Sequence, residues 1–343
     1  MRVAWIPFLL ACLFAGLPPR GAPSRAAEAA RDDLRDQAEA LMARAREACD
    51  LQAKGNPAFR LRAQVRLLGL REGPLEGSYL WIWSDPGRWR IEIHLGQYQE
   101  LAVGAPDKVW RRRTVPAQPY RLYQLEQLLG LTSRLYLDPQ ERVVEVGERD
   151  WQGVRRNYVQ TQMKGGGREF WFDPASGAPV REKHDSLEDI SAFEYSDYVA
   201  FGQKSFPRSL RLIQFGKPAV EVGVEELAVI PEPSPHLFNP PENATLWPRC
   251  GRTEPPRALK TPSPSYPERA RRARAAGVAR AYVVVGPDGK IHYSSVVRTP
   301  GEDFSAAIQK TLRKWRFQPA MCRGVPVDFS MFVEFTFHTV PVR

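Results

Sequence analysis

Cysteine is scarce in this sequence, four in 343 residues, which excludes a scaffold held together mainly by disulfides. No uninterrupted apolar run reaches the roughly 18 residues that a secure membrane-spanning helix needs. Histidine is sparse too. His94, His184, His236, His292 and His338 form no H-E-x-x-H pair, and no two cysteines stand at zinc spacing, so no metal site is implied. Gly165-Gly166-Gly167 lacks the Lys-Ser/Thr of a phosphate loop and reads as a hairpin turn, and no G-x-S-x-G elbow occurs. No catalytic residue and no cofactor follow, so the chain reads as a non-enzymatic protein. Proline and glycine are plentiful, 31 and 25, which favours many turns over long helices. A composition 43% hydrophobic and 26% charged is that of a globular protein, and the length suggests two domains.

The net charge of +10 is placed unevenly: residues 251–343 hold 16 Lys+Arg against 7 Asp+Glu, so the C-terminal part carries nearly all of it. Arg269, Arg271, Arg272 and Arg274 crowd one short helix there, but a solvated face explains them, and nucleic acid is not an expected partner. At the other end, Arg2 precedes an apolar run over residues 3–17, followed by Pro18, Pro19 and small residues. This is a secretory signal pattern covering residues 1–26, and it implies a periplasmic or secreted protein. The alternative is an inner-membrane anchor through residues 3–17. Export into an oxidising compartment leaves Cys49, Cys250 and Cys322, an odd number. Cys250 stands just before the second domain and Cys322 in a turn before its last strand, so a Cys250–Cys322 disulfide is the preferred pairing. It would leave Cys49 as a buried thiol; Cys49–Cys250 is the rival.

The first folded region spans residues 32–248. Leu34, Ala38, Leu41, Ala45 and Ala48 recur at helical spacing after Asp32 and Asp33. The period then changes: Phe59, Leu61, Ala63, Val65 and Leu67 alternate with polar residues, as on a half-buried strand. A strand is predicted over 79–83, and Asp85-Pro86-Gly87 reads as a turn. Trp89, Ile91, Ile93 and Leu95 then alternate with Arg88, Arg90, Glu92 and His94. Further strands are predicted to about residue 227, interrupted by a helix over 120–129. A helix on a long antiparallel meander implies a strongly curved sheet or half-barrel. The run from Asp85 to Glu92, with Phe170-Trp171-Phe172-Asp173-Pro174 and Gly177-Ala178-Pro179-Val180-Arg181, resembles the LolA/LolB-like periplasmic lipoprotein-carrier fold. That resemblance implies a lipid, acyl or other apolar ligand inside the curved sheet, with Tyr79, Trp81, Trp83, Trp89, Ile91 and Ile93 as candidate lining residues. Ordinary core packing of the same rings is the competing reading.

Prolines cluster from Pro231 to Pro267, and residues 249–264 read as a rigid, extended linker. Residues 265–340 then show the order helix, two strands, helix, strand. Tyr266-Pro267, Asp288-Gly289, Trp315-Arg316-Phe317, Pro319-Ala320, Gly324 and Pro326-Val327 appear in an order that resembles the TonB C-terminal domain family, over residues 257–340. Arg280 departs from it, standing where many members carry glycine. The fold class expected is therefore α+β: a curved antiparallel half-barrel with packed helices, then a small α-β-β-α-β TonB-like domain.

The resemblance implies capture of an extended segment of an envelope or outer-membrane protein by strand addition. The final strand, predicted as one element over 325–337, is the candidate edge, through Phe329, Met331, Phe332, Val333, Glu334 and Phe335. Homodimerisation through that edge is the alternative. For the whole chain, the function expected is a binding or adaptor role at the cell envelope. The alternatives are a purely structural envelope scaffold, or an energy-transduction or transport component that keeps its N-terminal anchor.

Overall fold

The computed structural model describes residues 25–70, 72–85, 87–186, 190–231, 233–250 and 253–338. The predicted signal segment and Pro86 of the predicted turn lie outside the described residues. A long helix, α1 (Arg25–Cys49), leads into five strands: β1 (Phe59–Leu67), β2 (Leu75–Asp85), β3 (Arg88–Leu95), β4 (Tyr98–Gly104) and β5 (Lys108–Arg113). Helix α2 (Tyr120–Leu129) and a 3-10 turn (Leu131–Arg134) follow. Seven more strands come next: β6 (Arg142–Trp151), β7 (Val154–Met163), β8 (Gly166–Phe172), β9 (Pro179–Ser186), β10 (Ile190–Phe201), β11 (Lys204–Gln214) and β12 (Lys217–Val229). A short strand, β13 (Thr245–Pro248), ends this region.

These strands form one antiparallel sheet in the order β13-β5-β4-β3-β2-β1-β12-β11-β10-β9-β8-β7-β6. It is two meanders joined where β1 pairs with β12, Phe59 opposite Val229 and Leu67 opposite Val220. The sheet curves but stays open, with β13 and β6 as its two edges. Along β1, buried Phe59, Leu61, Ala63, Val65 and Leu67 alternate with more exposed neighbours, the period-2 pattern of a sheet with one dry face. Helix α1 lays Ala38, Met42, Ala45 and Cys49 on that face, each 0–2% exposed. The small side chains bring its backbone close to the sheet. Leu122, Leu125 and Leu128 of α2 complete the same core.

The helix expected to start at Asp32 begins earlier. Residues 26–31 are rich in alanine with Glu28 and Arg31, all good helix formers with no stop among them.

The C-terminal unit contains β14 (Arg257–Lys260), α3 (Glu268–Arg272), β15 (Gly277–Val285), β16 (Ile291–Arg298) and α4 (Glu302–Leu312). It continues with β17 (Arg316–Gln318), β18 (Ala320–Cys322), β19 (Val325–Val327) and β20 (Phe329–Phe337). Its main sheet has the order β16-β15-β20. Alternate residues of β15, namely Ala279, Ala281, Val283 and Val285, pack with Phe304, Ile308 and Leu312 of α4 and with Trp315, Phe317, Phe335 and Phe337. The turn into β16 depends on Gly289. Its φ is +74°, and a Cβ there would sit 1.9 Å from the Phe317 carbonyl oxygen, so no side chain fits.

The long final strand of the sequence reading is two strands. Residues 325–327 fold back onto 320–322, Ala320 opposite Val327, and Asp328 separates them from β20. Part of the proline-rich stretch is paired rather than free: Thr245–Pro248 pairs with β5 and Arg257–Lys260 with β17.

Candidate partner-binding edge and interdomain seam

Strand β20 pairs with β15 along its whole length, Phe329 opposite Val285 and Phe337 opposite Gly277. Its other edge meets no strand among the described residues. A row of backbone donors and acceptors on a sheet edge is a template for another strand. The predicted edge residues divide by face. Phe335 is buried in the α4 core, with Met331 and Val333 packed against it. Phe329 leans on a separate small cluster with Ala320, Cys322 and Val327. Phe332 points to the opposite face, and Glu334 is exposed.

That opposite face is covered by the first domain. Tyr120 and Tyr123, one turn apart on α2, approach Tyr282 of β15 with ring centroids at 5.2 and 5.3 Å. They approach Phe332 at 6.0 and 6.3 Å. Tyr282 donates its hydroxyl to Ser330 Oγ at 2.9 Å, and the Arg280 guanidinium lies 4.3 Å from the Phe332 ring centre. This seam explains why Tyr282 and Val284 are as buried as Val283 between them: α4 covers one face of β15 and α2 the other. Two further links cross it. Arg113 of β5 bridges buried Glu100 at 3.2 Å and reaches Asp328 at 4.0 Å. Burial raises the Asp328 carboxyl above its ordinary range although Arg113 opposes this. The second link is covalent: Cys250, just after β13, is joined by a disulfide to Cys322 of β18, with Cα atoms 5.9 Å apart. Cys49 is a buried free thiol.

The six residues expected to line a ligand cavity share the inner face. Tyr79, Trp83, Trp89 and Ile93 are members of the core cluster, and Trp81 and Ile91 pack against it. Phe59 holds two of the rings, Trp81 edge-on at 4.8 Å and Trp83 stacked at 5.8 Å. Trp89 lies over Gly104, where a Cβ would come within 2.1 Å of the indole. Cavities of about 590, 530 and 320 Å³ occur elsewhere, and none of the three is lined by these six residues.

Buried ion pairs on the same inner face gave no signal in the sequence, because their residue types read as solvated positions. Glu182 of β9 is 1% exposed. It lies opposite Phe170 and Phe193, so the register turns it inward. It accepts from Arg134 Nε at 2.9 Å and lies 2.6 Å from His184 Nε2. Nearby, Glu141 accepts from Arg168 Nε at 2.8 Å and from the Thr161 hydroxyl. Burial alone would raise both carboxyls. Arg134 and His184 overcome it at Glu182, Arg168 and Thr161 at Glu141, and both end below the usual glutamate range. Such groups add stability above their unfolded pKa, near 4.3, and lose that contribution as the pH falls toward the depressed folded values. The melting temperature should therefore fall steeply with acidification below about pH 4.5. In Glu182→Gln that acid limb should be shallower, and an identical limb in a pH series would refute the assignment.

Among the described residues, no group of three or more His, Cys, Asp or Glu side chains could hold a metal ion. No helix there is long and apolar enough to cross a membrane.

Residues 262–339 match the family described as Gram-negative bacterial TonB protein C-terminal. Protein TonB of Klebsiella pneumoniae is 31% identical over 90 residues, which is 26% of this chain and 35% of that protein. The chain thus spans about a third of the length of the curated relative it matches. The solution structure of the Pseudomonas aeruginosa TonB C-terminal domain shares 25% identity, covering 26% of this chain and 89% of that one, with a TM-score of 0.23. A LolA superfamily protein from Nitrosomonas europaea is 9% identical, covering 59% of this chain and 97% of that one, with a TM-score of 0.40.

Proposed function

We propose that this chain is a non-enzymatic, envelope-associated adaptor that captures an extended segment of a partner protein by strand addition along the free edge of β20. The observation that carries this reading is the one-sided pairing of β20 over nine residues. Backbone groups on an open edge supply affinity with little dependence on the partner's sequence, and alternate side chains supply selectivity. An incoming strand would extend the sheet next to the aromatic seam, so the docked first domain would form part of the partner's surroundings. The match of residues 262–339 to the TonB C-terminal family supports a protein-binding role for this unit. Homodimerisation through the edge uses the same chemistry with a second copy as the partner.

A photo-crosslinking amino acid in place of exposed Glu334 tests the reading in intact cells. The expected result is an adduct to an envelope protein or to a second copy of the chain. Consecutive residues of a strand direct their N–H groups to opposite sides, so Val333→Pro and Glu334→Pro form a matched pair. One removes a donor from the free edge and the other breaks the ladder to β15. The edge-side proline should abolish partner capture with little change in melting temperature, and the ladder-side one should destabilise the unit. Capture that survives both prolines, or no adduct at Glu334, refutes strand addition. Phe332→Pro is a poorer probe because it also removes a ring from the seam.

A further inference from the structure

A groove of about 590 Å³ opens beside the turn between β8 and β9, on the outer side of the sheet. Its wall combines Trp151, two arginines (Arg156 and Arg211) and three carboxylates (Asp173, Glu194 and Asp197), with serine hydroxyls between them. The volume lies within the usual range for small-molecule sites, about 300–1,000 Å³. The indole is held in place: Trp151 packs against Tyr158, Trp171 and Val180, and the Arg181 guanidinium lies 5.7 Å from one tryptophan ring and 5.2 Å from the other. A register shift between β8 and β9 at Trp171/Phe172 lets Val180 join this outer cluster. Arg156 pairs with Asp173, yet its Nε is buried with no hydrogen-bond partner. A buried donor of this kind is met by an ordered water or by a ligand atom.

We propose that this groove binds a neutral saccharide, with a sugar ring stacked on Trp151 and its hydroxyls bonded to the surrounding carboxylates, serines and Arg156. The chemistry of the wall selects this class. A sugar hydroxyl both donates and accepts, which matches a lining of pure acceptors, pure donors and hydroxyls. The C–H face of a pyranose suits a fixed aromatic surface with a polar rim. An acyl chain would strip water from these polar groups without replacing their hydrogen bonds, which is costly. A phosphate or carboxylate ligand would meet three carboxylates against two arginines.

Full-length oxidised protein is titrated with maltose, cellobiose and N,N′-diacetylchitobiose, following the Trp151 indole N–H resonance by NMR with calorimetry alongside. Saturable binding of at least one disaccharide is expected. Trp151→Ala should weaken it at least about tenfold without altering crosslinking from position 334. Ser196 is exposed on the groove wall, and Ser196→Tyr, which fills the groove without disturbing the core, should abolish binding. If Trp151→Ala fails to fold, Ser196→Tyr decides by the same criterion. No saturable binding up to about 10 mM, binding indifferent to these substitutions, or a stronger response to inorganic phosphate or laurate would overturn the proposal.

Discussion

Ile93→Asp should unfold the large sheet. Ile93 is 2% exposed and lies between Tyr79 on β2 and Glu100 on β4. Removing the aliphatic side chain costs roughly 2–3 kcal/mol of burial. The carboxylate that replaces it would have no free counter-charge. Its cross-strand neighbour Glu100 is itself buried and already engages Arg111 at 3.1 Å and Arg113 at 3.2 Å. A second acid there faces a like charge as well as desolvation, so several kcal/mol more are lost. Against a typical total of about 5–15 kcal/mol, the folded fraction should collapse at ambient temperature, as read by circular dichroism and proteolysis. Ile93→Val should cost only about 1 kcal/mol. The same experiment separates packing from ligand binding. Loss of an extractable acyl ligand with the sheet still folded would mean a cavity at this position, whereas unfolding means that the ring cluster is structural core.

Strand phase was legible wherever one face is dry. The alternation Trp89, Ile91, Ile93, Leu95 against Arg88, Arg90, Glu92, His94 reports the same inner face that the core cluster occupies. In β20, likewise, Met331, Val333, Phe335 and Phe337 lie on the α4 side. What depends on docking was not legible. Phe332 falls on the outward parity of its strand, and only the arrival of Tyr120 and Tyr123 buries that side. Glu141 and Glu182 were not legible for a related reason. A charged residue within a strand reads as solvent-facing unless the cross-strand register is known, and the arginines that neutralise these two come from elsewhere in the chain: Arg134 from the 3-10 turn and Arg168 from β8. The pairing of β13 with β5 was hidden by its length, since four residues carry too little periodicity to stand out within a proline-rich stretch.

Breaking the Cys250–Cys322 bridge should loosen the hold of the first domain on the second. The bridge spans 72 residues of sequence, and the chain-entropy treatment assigns a loop of that size about 4 kcal/mol. Its position concentrates the effect. Cys250 follows the strand that pairs with β5, with Trp247 opposite Val109. Cys322 belongs to the β18–β19 hairpin, and around the bridge Trp247, Ala320, Val327 and Phe329 form a small apolar cluster. The tyrosine seam and the Arg113–Asp328 contact would then hold the interface without covalent help, and ionised Asp328 is a weak anchor because burial already disfavours its charge. Cys250→Ser/Cys322→Ser should therefore lower the denaturation midpoint and speed amide exchange at residues 245–247 of β13 and in the β18–β19 hairpin, while exchange in α4 stays slow. Cys49 should take no part in this, since burial pushes its thiol up to about 12 and a neutral thiol is a poor nucleophile. Native oxidised protein should accordingly resist alkylation, and non-reducing peptide mapping should yield a cross-linked Cys250–Cys322 peptide. Free thiols at both positions in exported protein, or a double variant with an unchanged midpoint and unchanged exchange in β13, would mean that the seam alone holds the two domains together.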